Sequence, residues 1–153
     1  MSKILALDLA TKTGWARNYG PEPRSGVVKF KGKTRGERFA ELEAWLYGIF
    51  GNAHTATALV VFETPHMRGG PATRSCVGMA AMVEKSCNDY GVDVDEYRPD
   101  AIKRFATGTS KASKEQMIEA ARKLGYNPKD DNEADAIHLL RLAESQGAQD
   151  GHS

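Results

Sequence analysis

The 153-residue chain is poor in cysteine, in long apolar runs and in net charge, and each shortage narrows what it can be. Its two cysteines, Cys76 and Cys87, lie in a stretch with helical periodicity, where eleven residues span about 16 Å. No intramolecular disulfide closes that distance, and neither thiol has the closely spaced partners of a structural metal site. Both are expected to be reduced thiols in the core. No apolar run approaches the ~20 residues that cross a bilayer. No basic-then-apolar leader precedes the first apolar stretch, so a cytoplasmic chain without membrane contact is expected. Hydrophobic residues at 41% and charged residues at 27% are an ordinary globular balance. The length suits one domain with a sizeable core, expected over residues 1–145, followed by a flexible tail at 146–153.

The net charge of +1 hides a strong segregation. Residues 1–38 carry nine Lys/Arg against three acids, and residues 98–129 carry eight against three. Residues 130–153 carry six acids against Arg141 alone. Such blocks are either ordinary solvated faces or two basic flanks that hold a polyanion beside acidic groups.

Periodicity gives the order of elements. Residues 3–10 read as a buried strand, and 14–17 and 26–30 as two more in a meander turned by Gly20-Pro21-Glu22-Pro23. Thr34 caps a helix whose Phe39, Leu42, Trp45, Leu46 and Ile49 recur every 3.6 residues. "TALVVF", 57–62, is a second buried strand, ending at Glu63. Residues 66–75 read as a loop, followed by a helix to about Tyr90. Residues 92–97 form a fifth strand, broken by acids and so expected near an edge. Pro99 opens a short helix, Ser113 caps another to Leu124, and Asp131 or Asn132 caps a last helix to about Glu144. This is an α/β chain with a mixed sheet and helices on its faces, in which the 57–62 strand should pair beside the first.

Three acids stand where acids are costly. Asp8 interrupts the apolar run "ILALDLA", Glu63 ends "LVVFE", and Asp135 lies on the apolar side of "NEADAIHLLRLA". A lone buried carboxylate costs several kcal/mol (roughly) unless a counter-charge meets it. For Asp8 that partner is either a cation of the chain, Lys12 or an arginine brought in from elsewhere, or a metal ion. Gathered together, the three acids would repel unless a hard divalent cation such as Mg²⁺ or Mn²⁺ sat between them. Two such ions can activate a water and stabilise the leaving oxygen of a phosphodiester. Asp131 shares a helix face with Asp135 and is a fourth candidate, or else an N-cap. Asp130 and Glu133 read as solvated or dipole-complementing acids, and His138 as a packing residue or an aid to metal or base.

The stretches "ILALDLATKTGWA", "ALVVFETP", "RPDAIKRFATGTSKASKEQM" and "NPKDDNEADAIHLL" resemble the RuvC-type Holliday junction resolvases, and more closely their short phage and prophage forms. The resemblance covers about residues 3–143. It implies an RNase H-like fold, with a five-stranded mixed sheet and helices on both faces. It also implies a crossover junction endodeoxyribonuclease using Mg²⁺ or Mn²⁺, two ions per site, on branched DNA. By position it assigns Asp8 and Glu63 as ligands, with Asp135 in the last helix. The family's motif there is commonly Asp-x-x-Asp-Ala, yet the residue three before Asp135 is Asn132. With one residue inserted, Asp131 takes that place and is preferred, because a full charge binds Mg²⁺ better than an amide. Lys103 and Lys114 match lysines near the scissile DNA, Lys114 being counted among the catalytic residues. Lys12, Arg104 and Lys111 belong to the same basic blocks and are expected to face DNA. Arg68 and Arg74, in the loop matching the junction-probing region, are expected to hold phosphates, with His66 or Met67 as a wedge against an unstacked base.

Family members dimerise through the helix at 74–90. Here one apolar stripe, Cys76, Ala80, Val83 and Cys87, should face the sheet. A second, Val77, Met79, Ala81 and Met82, would face a second copy or the chain's own core. The alternative enzyme is another RNase H-like nuclease acting on flaps, forks or RNA–DNA hybrids. The "DLATKTG" stretch also resembles the phosphate loop of sugar kinases and actin-type ATPases. Those need two such domains, and Ala10 stands where a glycine would let phosphate approach. A non-catalytic DNA-binding protein would have no need of three acids beside the core.

Overall fold

The structure, a computed structural model, describes residues 2–52 and 56–149. Five strands form one mixed sheet: β1 (Ile4–Asp8), β2 (Lys12–Arg17), β3 (Ser25–Lys29), β4 (Leu59–Glu63) and β5 (Asp93–Tyr97). Five helices complete the fold: α1 (Arg35–Phe50), α2 (Gly70–Tyr90), α3 (Pro99–Thr107), α4 (Lys114–Lys123) and α5 (Asp131–Gln149). The strand order is β3-β2-β1-β4-β5. β1 pairs antiparallel with β2 and parallel with β4, so the fourth strand lies beside the first as expected. The acidic β5 is an edge strand, and four of its five residues are exposed.

Alternation along β1 divides the core. Leu5 and Leu7 point to one face, with Leu42 and Leu46 of α1 and Met79, Ala80, Val83 and Cys87 of α2. Ile4 and Ala6 point to the other, with Ile102, Met117 and the α5 residues Ala136, Ile137, Leu139, Leu140 and Ala143. The same alternation sends Asp8 to the α5 face, and Glu63, two residues after Val61, follows it there. Thr34 caps α1 by accepting from the Glu37 amide, and Ser113 and Gln116 form a reciprocal capping box on α4.

Several expectations are corrected. α2 begins at Gly70, not after residue 75, because Pro71 suits the first turn of a helix and does not mark a loop there. Met79 is buried and Met82 packs partly against the sheet, so the second stripe on α2 reduces to the exposed Val77 and Ala81. Cys87 is buried, but Cys76 is only half-buried, at the sheet's upper edge, where its Sγ donates to the Leu9 carbonyl at 3.6 Å. α5 is capped by Asp130, whose Oδ1 accepts from the Glu133 amide at 2.9 Å, and by neither Asp131 nor Asn132. α5 runs on to Gln149, past the end expected near residue 144. Residues 150–153 of the expected tail lie outside the described residues. No described helix is long and apolar enough to cross a membrane.

Candidate active site

Parallel β1 and β4 end together: Leu7 is in register with Phe62, which sets Asp8 beside Glu63 at the same edge of the sheet. Asp8 also pairs across to Gly14 on β2, and Gly14 is where α5 lands. A Cβ at Gly14 would sit 2.0 Å from the Asn132 carbonyl oxygen and 2.7 Å from the Glu133 nitrogen. Only a glycine allows this approach. It lowers the first turn of α5, with Asp131 and Asp135, onto the strand that carries Asp8's neighbour.

Two further contacts hold that turn. The Asn132 side-chain amide donates to the Lys12 carbonyl at 2.9 Å. Glu133, 4% exposed, accepts from Ser25 Oγ at 2.7 Å and from the Lys129 amide at 2.8 Å. Glu133 is therefore a buried structural acid rather than the solvated one expected. Lys12 does not pair with Asp8; its Nζ lies 3.1 Å from Asp130.

The four acids act on one another. Burial pushes the Asp8 carboxyl well above the usual carboxylate range, and the charges of Glu63, Asp135 and Asp131 push it further. Asp8 and Glu63 share a hydrogen bond. Glu63 is also raised by burial, while Asp8's hydrogen bond, His66 and Lys103 pull it back. Asp135 is pushed up to about 7 by burial, then by Glu63 and Asp131, with Lys103 opposing. Its Oδ1 is buried with no hydrogen-bond partner. The carboxylates are thus short of positive charge, although among the described residues no three acid, histidine or cysteine side chains are placed to hold a metal ion between them as they stand. The oxygen donors and the orphaned Asp135 Oδ1 fit a hard divalent cation.

The predicted cations fall into separate settings. Lys103, half-buried on α3, is close enough to bias both Glu63 and Asp135. Lys114, at the start of α4, lies 4.0 Å from Asp131 and is mostly exposed. Arg104 and Lys111 are exposed, and Arg104 acts on Asp100. His66, Met67 and Arg68 are exposed before α2, Met67 at 79%, and Arg74 projects from its first turns. His138 is spent on packing: Nε2 meets the Met117 carbonyl at 2.9 Å, tying α5 to α4, and burial holds the ring below its ordinary pKa. Sequence reasoning missed Cys76 as a rim residue, its thiol raised by burial and then by Asp8 and Glu63. It also missed Gly14, whose position inside a strand was the available signal.

No protein-family model matches the chain. Over 93 residues it is 34% identical to the crossover junction endodeoxyribonuclease RuvC of Nitratidesulfovibrio vulgaris, covering 60% of this chain and 55% of that protein. Over 112 residues it is 35% identical to RuvC of Anaeromyxobacter dehalogenans, covering 69% and 52%. The chain spans about half the length of the curated relatives it matches. Among solved structures, Thermus thermophilus RuvC in complex with a Holliday junction substrate superposes with a TM-score of 0.75 at 18% identity, over 99% of this chain and 97% of that one. A second Thermus thermophilus RuvC structure gives 0.72 at 20% identity, over 97% and 96%.

The chain has the RuvC fold.

That fold is of the RNase H-like class, and it accounts for the mixed sheet and its layers. In sequence, too, the chain is similar to RuvC, as the relatives at 34–35% identity show. In this chain the ends of β1 and β4 lie beside the start of α5, where Asp8, Glu63, Asp131 and Asp135 gather.

Proposed function

We propose that residues 1–145 form a metal-dependent endonuclease domain that hydrolyses DNA phosphodiesters at four-way or other branched junctions. The observation that carries this reading is the convergence of Asp8, Glu63, Asp131 and Asp135 on a RuvC fold, where the charges of Glu63 and Asp131 raise the carboxyls of Asp8 and Asp135. Asp8, Glu63, Asp131 and Asp135 would hold Mg²⁺ or Mn²⁺, two ions per site. Bound there, the ions supply an activated water and stabilisation of the leaving oxygen. Asp131 is the fourth ligand in this reading, because its charge bears on both Asp8 and Asp135, whereas Asn132 is a neutral amide whose Nδ2 turns to the Lys12 carbonyl.

The chain's own residues supply the rest. Lys103, beside Glu63 and Asp135, and Lys114, beside Asp131, bring positive charge to where a scissile phosphate would lie. Lys12, Arg68, Arg74, Arg104 and Lys111 hold backbone phosphates, which fixes register without reading bases. The exposed Val77 and Ala81 on α2 support a homodimer, which would give a two-fold junction two cutting sites.

Matched four-way, fork, flap, RNA–DNA hybrid and linear duplex substrates, each with Mg²⁺ and with Mn²⁺, test the reading. Faster cleavage of the four-way junction than of the others is the expected result. Preference for flap, fork or hybrid would replace the substrate while keeping the chemistry. No divalent-dependent cleavage of any of them would end the proposal.

A further inference from the structure

Strand direction sets a second cationic surface at the same edge of the sheet as the carboxylates. β1 and β4 end there in Asp8 and Glu63, antiparallel β2 begins there at Lys12, and β3 ends there at Lys29, which is in register with Lys12. The line across that edge therefore runs Lys29, Lys12, Asp8, Glu63. Beyond Lys29 the chain carries Lys31, Lys33 and Arg35 into α1, and Lys29, Lys31 and Lys33 are exposed. None of these four cations is in an ion pair among the described residues. The nearby acids serve the backbone instead: Glu41 accepts from the Lys31 amide at 2.8 Å and Glu37 from the Lys33 amide at 2.7 Å. With Arg38 counted, residues 29–41 still keep five cations against those two acids. Arg35 Nε donates to Ser75 Oγ at 3.4 Å, which joins this surface to the first turns of α2 beside Arg74.

We infer that Lys29, Lys31 and Lys33 form a second phosphate-binding wing that grips a duplex arm of the DNA outside the cutting site; this rests on the branched-DNA reading above. Two strand spacings, about 10 Å, separate Lys29 from the Asp8 strand, and the first turn of α5 stands on β2 between them. A duplex presents one phosphate per ~1.7 Å of its axis, so that interval passes several phosphates. The wing therefore meets a different part of the DNA from the one at the carboxylates. Lys103, Lys111 and Lys114 belong to α3, α4 and the turn between them, reached from the opposite edge strand β5. Cations on both flanks of a central acidic site suit DNA whose arms diverge from the cut.

The test is the double substitution Lys31→Ala/Lys33→Ala, with Lys29→Ala as a separate variant. The loop is held by backbone amides, so truncating the two ammonium groups leaves its hydrogen bonds in place. Binding is measured in EDTA by fluorescence anisotropy across a salt series, on a four-way junction with long arms and on one with arms trimmed close to the crossover. For the double variant on long arms, the slope of log K against log salt should become shallower by about two units, near 0.9 per lost phosphate contact. Lys29→Ala should remove about one. On trimmed arms both variants should match the unaltered protein. Unchanged slopes on long arms, or equal losses on both junctions, would overturn the wing alone. An unaltered protein that bound neither junction would overturn the branched-DNA reading and the wing with it.

Discussion

Asp135 shows what a buried carboxyl costs when no counter-charge meets it. Its ordinary pKa of 3.8 is pushed up to about 7 by burial and by the charges of Glu63 and Asp131. A carboxyl that is easier to protonate when folded makes stability fall as pH rises between those two values. The metal-free protein should therefore be less stable at pH 8 than at pH 5.5 on account of this site. Asp135→Asn should recover on the order of 2 kcal/mol at the higher pH. Urea midpoints at both pH values with EDTA check this, and a variant with the parent's pH slope would show that Asp135 is not the group in question. Asp131 and Asn132 separate in the same way. Asp131→Asn should weaken Mn²⁺ binding, followed by electron paramagnetic resonance, by at least about tenfold, as loss of a charged ligand does. Asn132→Ala should weaken it only mildly, through the lost Lys12 contact. The reverse order would return the ligand position to Asn132. Asp8, Glu63 and Asp135 were legible in the sequence because each is a charge set among apolar residues, a costly placement that needs a partner. Glu133 was not, since its burial depends on Ser25, 108 residues away.

At the scale of elements, the placing of α5 on β2 decides the site. Gly14→Ala puts a methyl 2.0 Å from the Asn132 carbonyl oxygen, so α5 must move. A loss of about 1–3 kcal/mol is expected for such overpacking, together with weaker Mn²⁺ binding, because Asp131 and Asp135 move with the helix. Parent-like stability and metal affinity in the variant would show that the close approach does not position the acids. The order of strands and the edge position of β5 could be read from periodicity and from acids breaking the fifth strand. The start of α2 could not, because Gly69-Gly70-Pro71 has the composition of a loop whether or not a helix begins inside it. Nor could the facing of Met79 and Met82, which is settled by α1 and the sheet. A dimer through α2 is therefore tested on its exposed side. Ala81→Glu should give a folded monomer by analytical ultracentrifugation where the parent sediments as a dimer. A parent that is monomeric with and without junction DNA would refute the dimer.

For the whole molecule, the proposed function divides charge between two tasks, giving the chemistry to the carboxylates and affinity for DNA to the lysines and arginines around them. Binding and cutting should therefore come apart. The most direct measurement is single-turnover cleavage of a four-way junction by Glu63→Gln and by the parent, at saturating protein with Mg²⁺, beside junction affinity in EDTA. The account predicts affinity close to the parent's and cleavage reduced by at least about 10³-fold, since removing a ligand charge removes the metal's contribution to the transition state. Cleavage near the parent's rate with Mg²⁺ would contradict it.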